Sequence, residues 1–165
     1  MLWASIPCTG GSSWQHVNLA RHGKSTRKKV LQHRKTFREI WKCFEVVADE
    51  CISSGGKIAI EWHRSCLYWH FKPVKKFIEK HSLLKTRFDG CMYGLTSIQR
   101  STYGWPLKKG WTVMTNCVNI VNDLNLRCDG SHHHALVQGQ DTKRTEGYSK
   151  DIVLTVHKAW QDCVM

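Results

Sequence analysis

Leu2-Trp3-Ala4-Ser5-Ile6-Pro7-Cys8-Thr9-Gly10-Gly11-Ser12-Ser13 opens the chain with a short apolar run, a Pro-Cys pair and a turn of glycines and serines. This pattern predicts a buried strand that delivers Cys8 onto a tight loop. Open α/β sheets keep their chemistry beyond the carboxyl ends of the strands. Cys8 is therefore the first candidate for a reactive thiol, although the same residues also read as a small buried core cysteine.

Further along, Phe37, Ile40, Trp41, Phe44, Val47, Ala48 and Cys51 recur at steps of three and four. They predict a helix over Arg34 to Ser54 with one apolar face, ended by Gly55-Gly56. Cys43 falls on the opposite face. Lys57-Ile58-Ala59-Ile60-Glu61-Trp62 then reads as a strand buried between layers, with Glu61 near its end. Strand, helix and strand in this order form half of a right-handed crossover, which would set the two strands parallel and bring Cys8 and Glu61 to one rim. A carboxylate closing an apolar strand must be solvated there or hydrogen-bonded. Between the first loop and the helix, Arg21-His22-Gly23-Lys24-Ser25-Thr26-Arg27-Lys28-Lys29 is expected to be an exposed basic loop, either solvated or touching phosphate. Gly23-Lys24-Ser25 is not a phosphate-binding loop, because Asn18 stands where the upstream glycine is required.

The segment from Trp62 to His70 is dense in aromatics and imidazoles and could stack on a base or cap the core. Pro73 opens a short helix running to Lys80. Lys85 to Leu95 reads as a strand entering a turn and Gly110 to Asn116 as another, the two forming an antiparallel edge pair. Ile120, Val121 and Leu124 suggest a short helix, and Cys128 to Gly147 reads as loop. Ser149 caps a final helix carrying Ile152, Val153, Val156 and Trp160.

The 165 residues carry 25 Lys and Arg against 13 Asp and Glu, a net charge of +12. That balance favours a polyanionic partner, with nucleic acid ahead of an anionic membrane surface. No apolar stretch approaches the roughly 20 residues of a bilayer span, and no secretory leader is evident, so an intracellular location, nuclear or cytoplasmic, is expected. The eight cysteines lack framework spacing and are expected to be free thiols or metal ligands. Cys117, Cys128, His132 and His134 offer two thiolates and two imidazoles, a set suited to structural zinc, although three consecutive histidines also read as a polar loop.

The order of these pieces resembles the central part of the DNA cytosine-5 methyltransferase catalytic domain, over roughly Leu2 to Asn116. The resemblance implies an α/β fold: a partial Rossmann-like methyltransferase sheet, mostly parallel with an antiparallel edge pair. Residues 1–116 would form the methyltransferase-like half-domain, and 117–165 a Cys/His loop and helix. It also implies that Cys8 attacks C6 of a flipped cytosine while Glu61, at the family's Glu-Asn-Val motif, holds the N3 edge. Tyr93-Gly94-Leu95 followed by Gln99-Arg100 matches the family's Tyr-Gly and Gln-x-Arg segment. Gln99, Arg100, Lys108 and Lys109 are then the expected substrate-binding residues, and DNA is favoured over RNA. Thr9, Trp62-His63 and Thr96-Ser97-Ile98 depart from the family pattern. The family places its S-adenosylmethionine loop before the Pro-Cys strand, and this sequence has no Gly-x-Gly-x-x-Gly. The cofactor is expected only with a missing N-terminal half or a partner chain that completes the fold. The alternatives are a non-enzymatic nucleic-acid-binding protein of a mobile element with structural zinc, and an unselected, partly disordered reading frame.

Overall fold

The computed structural model describes residues 1–164. They form two compact units, Met1–Leu83 and the described residues from Leu84 onward.

In the first unit, β1 (Leu2–Ala4) leads through a 3-10 turn at Thr9–Gly11 into α1 (Trp14–Ser53), followed by β2 (Ile58–His63) and α2 (Lys72–Lys80). β1 and β2 are parallel, with Leu2 opposite Ile58 and Ala4 opposite Ile60, as the crossover reading requires. Trp62 Nε1 donates to Ile6 O at 2.7 Å and so fastens the chain beyond β1 to β2.

α1 is longer than the apolar stripe predicts. It takes in Arg21–Lys29, which is helix and not the expected loop. Lys and Arg are good helix formers, and an exposed stretch needs no apolar period to be helical. The break in this helix falls at Gly23, whose φ of 56° and ψ of −129° lie outside helical space. The buried face is also narrower than expected: Phe37, Trp41, Phe44 and Ala48 are buried, whereas Ile40 and Val47 are 38% and 55% exposed. Phe37 stacks on Tyr68 at 3.7 Å between ring centroids, Trp41 lies 5.9 Å from Trp62, and Phe77 meets Trp41 edge-on at 5.7 Å. This aromatic cluster is the core of the unit. Asp49 on α1 takes bonds from Lys80 Nζ (2.7 Å) and pairs with His81 Nε2 (2.6 Å) at the end of α2, and the Lys80 bond chiefly holds its carboxyl below the usual range.

In the second unit, β3 (Leu84–Asp89) and β4 (Gly110–Thr115) are antiparallel, with Leu84 opposite Thr115 and Asp89 opposite Gly110. α3 (Val118–Asp123), α4 (Gln140–Arg144) and α5 (Lys150–Val164) follow, so the segment expected to be loop from Cys128 to Gly147 contains a short helix. Asp141 in α4 is buried and accepts from Ser97 Oγ at 2.6 Å, Ile98 N at 2.8 Å and Gln99 Nε2 at 2.9 Å. Ser149 caps α5 as expected, accepting from Ile152 N while donating to Tyr93 O. Ile152, Val156 and Ala159 form the buried face of α5, while Val153 is 39% exposed. The protein is thus α/β, but the expectation of a mostly parallel sheet is corrected. The pairs just described are one parallel and one antiparallel, because β3 and β4 are joined by turns without the helix that a parallel crossover needs.

The turn after Cys8 is tightly enclosed. A methyl group on Gly11 would lie 2.8 Å from Tyr68 Cδ1 and 2.9 Å from Cys66 Sγ. Gly11→Ala should therefore cost about 1–3 kcal/mol in urea unfolding. Gly147→Ala, whose methyl would meet nothing closer than Arg144 O at 4.0 Å, should change stability by no more than about 0.5 kcal/mol.

Candidate functional site

Two groups of side chains carry chemistry, one in each unit. In the first unit, Ser5 and Glu61 directly follow the paired Ala4 and Ile60, and Ser5 donates its hydroxyl to Glu61 Oε2 at 2.8 Å. Glu61 is only 3% exposed and is hydrogen-bonded, one of the two outcomes the sequence left open for it. Cys8 is half-buried and its sulfur meets the thiol of buried Cys66. The neighbouring Cys8 sulfur and burial hold the Cys66 thiol well above its ordinary value, and the Glu61 charge adds to the effect. Arg34 Nε donates to Gly10 O at 2.9 Å and braces the same turn. Cys8, Glu61 and Cys66 thus share one end of the β1–β2 pair. Cys66 was not expected here; its place so close after β2 is the signal that could have found it.

In the second unit, Cys91, Cys128, His132 and His134 place their ligand atoms within 4.8 Å of one another, and they could hold a metal ion. Asp89 builds this site. Its N–H donates to Leu126 O at 3.0 Å, and its Oδ2 accepts the Cys128 N–H at 3.0 Å, which draws the loop onto the end of β3. The chain enters a 3-10 turn at Gly90–Tyr93 immediately after Asp89, so Cys91 arrives at the same place. Gly130, at φ 86°, turns the chain back and donates its N–H to Cys128 Sγ at 3.3 Å. Asp129 Oδ1 accepts from Ser131 N at 2.9 Å and tightens the turn. Cys128 Sγ then lies 3.4 Å from His134 Nε2 and 3.8 Å from His132 Nε2.

Burial, with Cys128 as second cause, pushes the Cys91 thiol up to about 11. Burial, reinforced by His132 and Lys108, lowers His134 and favours the neutral imidazole that ligation needs. The expected ligand Cys117 is not part of this group. It is fully buried, with its Sγ directed at Ala159 O on α5 at 4.0 Å, and Cys91 takes its place.

The four expected substrate-binding residues divide. Gln99 Nε2 is committed to Asp141 Oδ2 and to Gln138 O, each at 2.9 Å, and Lys109 Nζ to Thr145 O over the ring of Trp111. Arg100 is exposed and lines a cleft with Gln99, Ser101, Gly139 and Gln140; Lys108 is exposed as well. Among the described residues no helix is long and apolar enough to cross a membrane. Comparison with protein-family models, with curated proteins and with solved structures finds no match.

Two outcomes follow from this geometry. Native mass spectrometry of the chain titrated with a divalent metal should show one ion per chain, lost in Cys91→Ser and Cys128→Ser but retained in Cys117→Ser. Alkaline pH should destabilise the metal-free fold. Burial pushes Tyr68 from an ordinary value of 10.0 up to about 12, and Cys66 and Cys91 are raised from 9.0. The unfolded chain loses these protons first, so the stability they support is present in full below about pH 9 and declines from there to about pH 12. Tyr68→Phe should remove the tyrosine share of that decline in urea midpoints measured against pH.

Proposed function

We propose that this chain is a nucleic-acid-binding protein of the DNA cytosine-5 methyltransferase type, with Cys8 and Glu61 meeting an unpaired cytosine and a zinc ion stapling its second unit. The observation that carries the reading is the Ser5–Glu61 hydrogen bond on the parallel β1–β2 pair, which puts the carboxyl group at the end of the strands that also bears Cys8. The net charge of +12 supplies the attraction for a polyanion. Cys8 as thiolate adds to C6 of the base, and the electron pair moves toward C5 and N3. Glu61 in its protonated form gives its proton to N3 as negative charge develops on the ring, while the proton of the Cys8 thiol leaves to solvent. A flipped or single-stranded base is required, because C6 is inaccessible within a stacked duplex.

S-adenosylmethionine does not fit the residues present. The sequence has no Gly-x-Gly-x-x-Gly, and the clefts lined by Lys85, Arg87 and Arg127 and by Gln99 and Arg100 contain no acidic partner for a ribose. No methyl-transfer step is assigned to this chain alone.

Zinc fits the second unit. With Zn–S near 2.3 Å and Zn–N near 2.0–2.1 Å, the S···N edge of a tetrahedron is about 3.6 Å. The two Cys128-to-histidine separations, 3.4 and 3.8 Å, bracket that value. The donor set of two thiolates and two imidazoles leaves no open position, so the metal's role is structural. This centre also favours a second reading, a non-enzymatic zinc-stabilised nucleic-acid binder of a mobile element.

An oligonucleotide containing 5-azacytosine separates the two, because addition at C6 followed by protonation at N5 leaves a persistent adduct with no methyl donor. Intact-mass analysis should show a 1:1 adduct that maps to Cys8, disappears in Cys8→Ser and falls at least tenfold in Glu61→Gln. Salt-sensitive oligonucleotide retention without an adduct would replace the first reading by the second, and absence of both would overturn both.

A further inference from the structure

The cleft on the outer side of β3 belongs to neither group of reactive side chains. It has a volume of about 460 Å³ and is lined by Lys85, Arg87, Val121, Asn122, Asn125 and Arg127. Lys85 and Arg87 are alternate residues of one strand and share a face. Thr86 between them donates its hydroxyl to Leu124 O at 2.7 Å, and Asp89 N donates to Leu126 O at 3.0 Å. These bonds lay the segment after α3 along β3 and bring Arg127 to the two strand cations.

Counter-charge is scarce. Among the described residues Lys85 and Arg87 form no ion pair. The carboxylate nearest Arg127 is that of Asp89, 4.0 Å from its Nε, and Asp89 is turned inward onto the Cys128 N–H. No aromatic ring lines the cleft, so a base would find nothing on which to stack, and Val121 alone offers an apolar wall. The chemistry recognised is therefore compact negative charge. Arginine pairs with phosphate oxygens through two parallel hydrogen bonds, and carboxamides add neutral donors.

We propose that the Lys85, Arg87 and Arg127 cleft seats a backbone phosphate of the bound nucleic acid. The site rests on the nucleic-acid reading above and deepens it, and it links the two features of the second unit. Arg127 directly precedes the metal ligand Cys128, so a metal that fixes the cysteine also fixes the third cation.

The test uses the metal-loaded full chain and a fluorescent 20-nucleotide DNA, single-stranded and duplex, in anisotropy titrations from low to high salt. Lys85→Ala/Arg87→Ala should weaken binding at least tenfold at low salt. It should also lower the slope of log affinity against log salt by about one to two, the change expected for one or two lost phosphate contacts. Lys85→Gln/Arg87→Gln, which keeps the side-chain stems, should behave in the same way. Both positions are exposed, so an unchanged circular-dichroism melt accompanies the loss. Affinity within twofold of the parent and an unaltered slope in both variants would overturn the site while leaving nucleic-acid binding intact. A parallel titration with pyrophosphate separates the remaining case. Amide shifts at Arg87 and Asn122 with pyrophosphate but no oligonucleotide binding would overturn the nucleic-acid reading and leave a site for small phosphates. No response to either ligand would overturn the cleft as an anion site.

Discussion

The parallel pairing of Leu2–Ala4 with Ile58–Ile60 is the constraint on which the first unit depends. A parallel neighbour obliges the chain to leave the sheet and return, and the long helix between the two strands is the element that does so. Once the register is set, Trp62 reaches the Ile6 carbonyl, Ser5 reaches Glu61, and the Pro-Cys turn is laid over Cys66 and Tyr68. A slip of one residue would turn each side chain to the opposite face and leave Glu61 buried without its hydroxyl partner. The glycines at positions 10 and 11 are part of the same arrangement, since neither has room for a methyl group beside the Tyr68 ring.

The second unit is held differently. Its antiparallel pair packs on α3, which in turn packs on α5, and Phe88, Trp111, Ile120, Ile152 and Val156 are buried in this unit. Asp89 is the hinge of the design. One buried carboxylate closes the edge of β3, orders the Cys128 loop and sets Cys91 facing it. A metal there would tie the end of a strand to an irregular loop, the kind of long closure in which a cross-link restrains the unfolded chain most.

The elements were legible in the sequence wherever burial dictated the pattern. The crossover, the Pro73 helix, the antiparallel pair and the Ser149 cap all follow from periodicity and capping chemistry. Arg21–Lys29 was not legible, because an exposed charged helix has no apolar period to betray it. Ile40 and Val47 belong to the apolar stripe by spacing, and only the packed structure shows that they face solvent. At the metal group, Cys128, His132 and His134 were readable because they lie within one short loop. Cys91 was not, since its approach depends on the Asp89 bond to a backbone amide far along the chain. Cys117 lay nearer in sequence but belongs to the α3–α5 packing. Gln99 and Lys109 carry polar ends that the fold spends on Asp141 and Thr145, an internal use that composition cannot distinguish from ligand binding.

The account stands on Cys8 being the thiol that faces bound nucleic acid. Maleimide labelling of the native chain, with and without saturating single-stranded oligonucleotide and read by peptide mapping, measures this directly, and exposed Cys43 on the outer face of α1 serves as the internal reference. The account predicts that the oligonucleotide slows labelling of Cys8 at least tenfold and leaves Cys43 unchanged. Equal slowing at both positions, or a Cys8 rate indifferent to the oligonucleotide, would contradict it.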